Sequence, residues 1–156
     1  MGLGSRSPIF DVLILAHIVC AIGGFGANGL AGLYAGQLYP EVSEGAIKYF
    51  SSPKFYAEKL IYLVPVFGLI MIAVSRGASE LGKPWVIFGI VIWIFAVGIA
   101  HSLVWPNERK LARMVIADPG NTEVRGPARR LARGAMMLDL IFVAAFAVMI
   151  AQPGGK

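Results

Sequence analysis

The residues with chemistry to offer in this chain are few, and each stands in apolar surroundings. His17 and Cys20 lie in AHIVCAIGGFGANGLAGLYAG (residues 16–36), which also holds Asn28 and six glycines. His101 and Asp139 stand in two later apolar runs. At 100° per residue, Gly24, Asn28 and Ala35 fall within about 20° of His17 around a helix. The i, i+4 series Ala16, Cys20, Gly24, Asn28, Gly32, Gly36 is small or polar at every position. One face of this helix is therefore a nearly bare groove tipped by a histidine and an asparagine. Small residues in series let a second helix or a flat ligand approach the backbone closely.

Two readings of that face stay open. It is a packing seam, with Asn28 and His17 hydrogen-bonding to neighbouring helices, or it is the wall of a cofactor site. In the second case the glycines make room for a porphyrin and His17 ligates its iron. His101, the other histidine, is a poor partner in a two-histidine site. His17 lies about 10 Å below one membrane surface and His101 about 24 Å below the same surface, counting 1.5 Å per residue. His101 and Asp139 instead share a depth near the opposite surface. A carboxylate in the hydrocarbon layer needs a donor, so a His101–Asp139 pair is expected, with Arg130 or Arg133 as the alternative partners of Asp139.

The elements that must position these groups are membrane helices. The 156-residue chain is 57% hydrophobic and only 15% charged, with a mean hydropathy of +0.70. A soluble domain carries about 25% charged residues. Four runs reach the length needed to cross a bilayer, about 20 residues of helix: roughly 9–37, 55–75, 85–105 and 134–151. The expected fold is all-α, a single four-helix membrane bundle covering the whole chain. Ser52 and Pro53 read as N-cap and first residue of the second span, Pro84 opens the third, and Pro106 closes it. Trp85 and Trp105 stand about 30 Å apart on one helix, the spacing of two interface anchors. Pro65 is expected to kink the second span and to free a carbonyl one turn earlier.

Charge placement orients the bundle. The segment between spans one and two carries Lys48, Lys54 and Lys59, and that between spans three and four carries Arg109, Lys110, Arg113, Arg125, Arg129, Arg130 and Arg133. Only Arg6, Arg76, Lys83 and Lys156 lie on the other side. The positive-inside rule puts the larger loops in the cytoplasm and both termini outside. Arg6 ahead of an apolar run could start a signal peptide, but the run is too long for a signal core. RGPARRLARG has no aromatic residue to stack on a base, so the partners of Arg125, Arg129, Arg130 and Arg133 are lipid headgroups rather than nucleic acid. PNERKLARMVIA places Leu111, Met114 and Val115 on one side of a helical turn, with Glu108, Arg109, Lys110 and Arg113 covering much of the rest; DPGNT reads as a turn, and the whole loop as helical extensions along the interface or a docking surface for a partner. One cysteine excludes a disulfide framework and a cysteine zinc cluster, and no phosphate loop, nucleophile elbow or zinc-protease motif is present.

LAHIVCAIGGFGANGLAGLYAG and PNERKLARM resemble a group of bacterial integral membrane proteins related to the copper-resistance D superfamily. The resemblance implies a four-span bundle in the cytoplasmic (inner) membrane. It also implies a first-span histidine, here His17, that binds haem b in some relatives. The chain departs from the pattern at Ala21-Ile22, where the family often places a tryptophan before the glycine pair. It has no Met- or His-rich copper motif. The leading expectation is a non-enzymatic accessory or scaffold subunit, packed through the first helix against other membrane protein subunits in a transporter or respiratory assembly. The alternative is a haem b-binding redox protein using His17, Gly24 and Asn28. Inverted repeats and several intramembrane charges, the marks of a transporter, are missing.

Overall fold

A computed structural model describes residues 7–52, 56–75 and 81–153. Among these residues there is no strand, and the chain is a helical bundle. Helix α1 runs Pro8–Gly36, α2 Glu44–Ser51, α3 Leu63–Ser75, α4 Pro84–Ile99, α5 Trp105–Ala117 and α6 Arg125–Ala151. Three continuous helical stretches are long and apolar enough to cross a membrane: Pro8–Gly36, Pro84–Ala117 and Thr122–Ala151. The expected second span is a composite. Tyr56–Tyr62 winds as a 3₁₀ helix and only Leu63–Ser75 is α-helical. Pro65 sits in the first turn of α3, where a missing N–H costs least, and the tighter winding precedes it.

Local rules account for most helix ends. Ser7 caps α1, its hydroxyl accepting from the Phe10 N–H, with Pro8 in the first turn. Pro84 opens α4 as its type predicts. Ser43 caps α2 by accepting from the Ala46 N–H at 3.1 Å, a short helix that hydrophobic-run counting passes over. Ser52 ends α2, its hydroxyl donating to the Lys48 carbonyl; its expected role as N-cap of the next helix turns on residues from Pro53 onward that lie outside the described residues. In DPGNT the Asp118 carboxylate accepts from the Gly120 N–H at 3.0 Å, the turn its composition predicts.

Pro106 does not close the third helix. The chain passes from α4 through a π turn, Ala100–Val104, directly into α5. The Trp105 N–H donates to Ala100, five residues back. That wider turn absorbs a proline which cannot donate to the carbonyl four residues before it. The loop between the third and fourth spans is thus a helical hairpin of α5 and the first half of α6, bridged by a single 3₁₀ turn at Thr122–Val124. It is a continuation of the bundle core: Leu111, Val115, Val124, Ala128 and Leu131 are all buried.

The packing is close at the end carrying α2 and α5, and looser towards the termini. Helix α1 runs antiparallel to α6, with Gly32 against Ala135, Gly29 against Asp139 and Phe25 against Phe142. On its other side α1 meets the 3₁₀ segment and α3. A Cβ on Gly24 would lie 2.6 Å from the Ile61 backbone nitrogen and 3.0 Å from its Cα. Only glycine permits that approach. The small-residue seam of α1 is filled by this chain's own helices.

Candidate functional site

Asn28 is the buried hub of the close-packed half, 1% exposed. Its side-chain oxygen accepts from the Trp105 indole at 3.0 Å, and its amide donates to the Gly24 carbonyl at 2.7 Å. Trp105, 3% exposed, is therefore a core residue and not an interface anchor. The Lys59 ammonium lies 4.9 Å from its ring centroid, and the His101 ring stands edge-on to it at 4.5 Å.

His101 and Asp139 are not paired. His101 Nδ1 donates to the Val97 carbonyl at 3.0 Å, and its Nε2 meets the Tyr62 hydroxyl at 2.9 Å. Asp139 packs instead against the bare Cα of Gly29 across the α1–α6 seam. Depth along each helix is readable in the sequence; the direction around it is not, and the π turn rotates everything after residue 100. Arg125, Arg129, Arg130 and Arg133 are exposed, and the Arg125 guanidinium stacks 4.1 Å from the Tyr39 ring centroid.

Glu108 is a residue that sequence reasoning assigned to a polar face and the fold buries, leaving it 6% exposed. It follows Trp105 by one helical turn and so shares its inward face. Burial first, then the charges of Glu108, Glu58 and Tyr34, push the Tyr49 phenol up to about 12. Tyr49 lies in α2, stacked on Tyr34 at 4.5 Å. In an ultraviolet titration of the phenols, Tyr49→Phe is expected to remove a late-titrating component and Glu108→Gln to move it down. Because the folded state holds this proton more tightly than the unfolded chain does, its contribution to stability is lost as pH rises from about 10 towards 12. Tyr49→Phe should flatten that loss in alkaline melts.

His17 faces a different environment. In the terminal half of the bundle, α1, α3, α4 and α6 diverge around an apolar cavity of about 780 Å³. Its walls come from residues 10–25, 64–72, 85–93 and 142–152, and Phe25, Trp93 and Phe142 close it towards the loops. Lys83 and Trp85 stand at the opposite end, and the Trp85 indole N–H is buried with no hydrogen-bond partner among the described residues. His17 Nδ1 lies 2.8 Å from the Val64 carbonyl. A carbonyl can only accept, so Nδ1 carries the proton and Nε2 of the neutral ring keeps a lone pair. Among the described residues nothing else binds this ring. A Cβ at Gly68 would sit 3.5 Å from its Cε1, so the imidazole packs against a glycine.

Pro65 builds the support for this arrangement. Its missing N–H leaves the Ile61 carbonyl free, and the Trp93 indole donates to that carbonyl at 2.9 Å. The carbonyl expected to be freed one turn earlier is thus a cross-tie between α4 and the 3₁₀ segment. Val64, the neighbour of Pro65, holds His17. Comparison of the chain with known protein families, curated proteins and solved structures found no match.

Proposed function

We propose that this protein is a membrane haem b-binding protein in which His17 would bind the iron. The observation that carries the reading is a histidine with Nδ1 tied to a backbone carbonyl and Nε2 unpartnered among the described residues, lining a large apolar cavity. A backbone-anchored Nδ1–H is the usual device that orients a ligating imidazole and raises its basicity. The cavity falls in the range of about 300–1,000 Å³ typical of small-molecule sites, largely apolar with a few polar groups. An Nε2 lone pair suits a metal ion or an O–H or N–H donor, and does not suit a quinone carbonyl. Haem fits this donor set. His17 would hold the iron, Phe25, Trp93 and Phe142 would bound the ring, and Lys83 would offer positive charge to a carboxylate at the terminal end. When bound, the group would supply one-electron redox chemistry or diatomic-ligand binding. The chain's own part is to hold the imidazole tautomer and to keep water from the apolar walls.

In this reading the composite of the 3₁₀ segment and α3 is a fourth crossing beside the three long apolar stretches. Thirteen α residues and seven 3₁₀ residues span about 34 Å, enough for a hydrocarbon layer of about 30 Å. Both termini then lie on the outer face of a bacterial cytoplasmic membrane by the positive-inside rule, and the cavity opens in the outer leaflet. The exposed arginines of α6 would meet anionic headgroups on the other side.

The test is an absorption spectrum of protein purified in detergent from haem-replete cells, with reconstitution by added haemin. Wild type is expected to show a Soret band that His17→Ala abolishes, with unchanged size-exclusion behaviour. A wild type that stays colourless after both treatments would sink the haem reading. It would favour an accessory role in a larger complex, which would have to dock elsewhere than the filled glycine seam.

A further inference from the structure

We infer that the outer groove between α1 and α6, at Asp139, docks a membrane-spanning helix of another protein that carries a lysine or arginine. Asp139 lies inside Thr122–Ala151, a stretch long and apolar enough to cross a membrane. It stands beyond Arg133 in the chain, about 9 Å further into the layer at 1.5 Å per residue. The fold leaves its side chain exposed. Val143, one turn on, is 64% exposed, so this face of α6 looks outward into acyl chains. An ionisable group at such a place calls for a partner of opposite charge.

The chain's own cations point elsewhere. Around α6, Arg133 lies about 120° from Asp139 and Arg130 about 180°, and both stand nearer the loops. Lys54 lies outside the described residues. The elements on either side of it, α2 and the 3₁₀ segment, meet α1 at Tyr34 and Gly24. Each of those is about 140° around α1 from Gly29, the residue that Asp139 packs against. His101 is already bonded to Tyr62 and Val97. Charge complementarity therefore selects a cation from a neighbouring molecule.

The surface beside Asp139 is shaped to admit one. Ile22, Gly26, Gly29 and Leu33 share a face of α1 within about 60°. Ile22 and Leu33 are exposed large side chains, whereas a Cβ on Gly26 would meet nothing within 4 Å. The result is a notch two glycines wide between two bulky residues, with Asp139 at its edge. It lies on the outer side of the seam that Ala135 fills. A helix seated in the notch approaches the α1 backbone closely and shields its ion pair from lipid and water. An apolar helix of the same shape leaves the carboxylate without a partner.

Synthetic helices test this without reference to haem, because the readout involves neither His17 nor its cavity. Full-length protein carrying a donor dye at Ile150→Cys, in a Cys20→Ser background, is placed in phospholipid vesicles. It is titrated with acceptor-labelled oligoleucine membrane helices that hold lysine, leucine or glutamate at the depth of Asp139. The lysine helix is expected to bind several-fold more tightly than the leucine helix, and the glutamate helix no more tightly than leucine. Asp139→Asn should erase the lysine preference, and Gly26→Leu should weaken it by filling the notch, with unchanged size-exclusion behaviour for both variants. Equal binding of the lysine and leucine helices would overturn the inference, as would a lysine preference that survives Asp139→Asn. Energy transfer between two labelled copies of the protein that Asp139→Asn abolishes and the lysine helix does not displace would overturn it in favour of self-association.

Discussion

Gly24→Ala is expected to destabilise the protein by about 3 kcal/mol, at the upper end of the range for overpacked cores. The reason is what the new methyl group would meet: the Ile61 backbone nitrogen at 2.6 Å and its Cα at 3.0 Å. Backbone cannot rotate aside as a flexible side chain can. Relief requires α1 to back away from the 3₁₀ segment, and that segment carries the Ile61 carbonyl bonded by Trp93. Loss of the close approach would also shift Val64 and with it the tautomer lock on His17. Gly26→Ala is the internal control, because a Cβ there meets nothing within 4 Å. It should stabilise the helix by roughly 0.5–1 kcal/mol through propensity alone. Thermal melts in detergent should therefore move in opposite directions for two alanine substitutions two residues apart. Equal melting temperatures would refute the close approach.

The second large effect is expected at Asn28. Asn28→Leu keeps the volume but leaves the Trp105 indole N–H buried without an acceptor, a loss of about 2 kcal/mol. Removing both partners relieves that penalty. In a double-mutant cycle with Trp105→Phe, the pair should show a coupling of about 1 kcal/mol, within the range for interhelical hydrogen bonds in membranes. Strict additivity of the two single losses would mean the bond contributes nothing. The cycle also tests the placement of Trp105, since a tryptophan in the headgroup region would lose little on replacement by phenylalanine and would not couple to Asn28.

Much of the fold follows from local physics. Apolar length marks α1, α4 and α6 as crossings, Pro84 starts one of them, and the DPGNT turn and the inward face of Leu111 and Val115 emerge as composition and period predict. Local rules mislead where a residue type has two uses. Ser52 fits an N-cap and serves as the end of α2. Pro106 looks like a stop signal and is passed by a π turn. Trp105 looks like an interface anchor and sits in the core, and Glu108 looks solvated and is buried. Ser52 and Pro106 are settled by other local bonds, to Lys48 and within the π turn, while Trp105 is drawn inward by its long-range bond to Asn28.

The same division holds for the site. The sequence by itself determined that α1 has one bare, polar-tipped face, because helical period alone sets which residues share a face. It also separated His17 from His101 by depth, because rise per residue is constant. Only the tertiary structure decided what each face meets. The bare seam closes on Ile61 and Ala135, Asn28 finds Trp105, and His101 turns to Tyr62 instead of Asp139. His17 is left beside a cavity that no single helix contains. Period and rise are properties of one helix, while azimuthal matching between helices depends on every side chain packed between them.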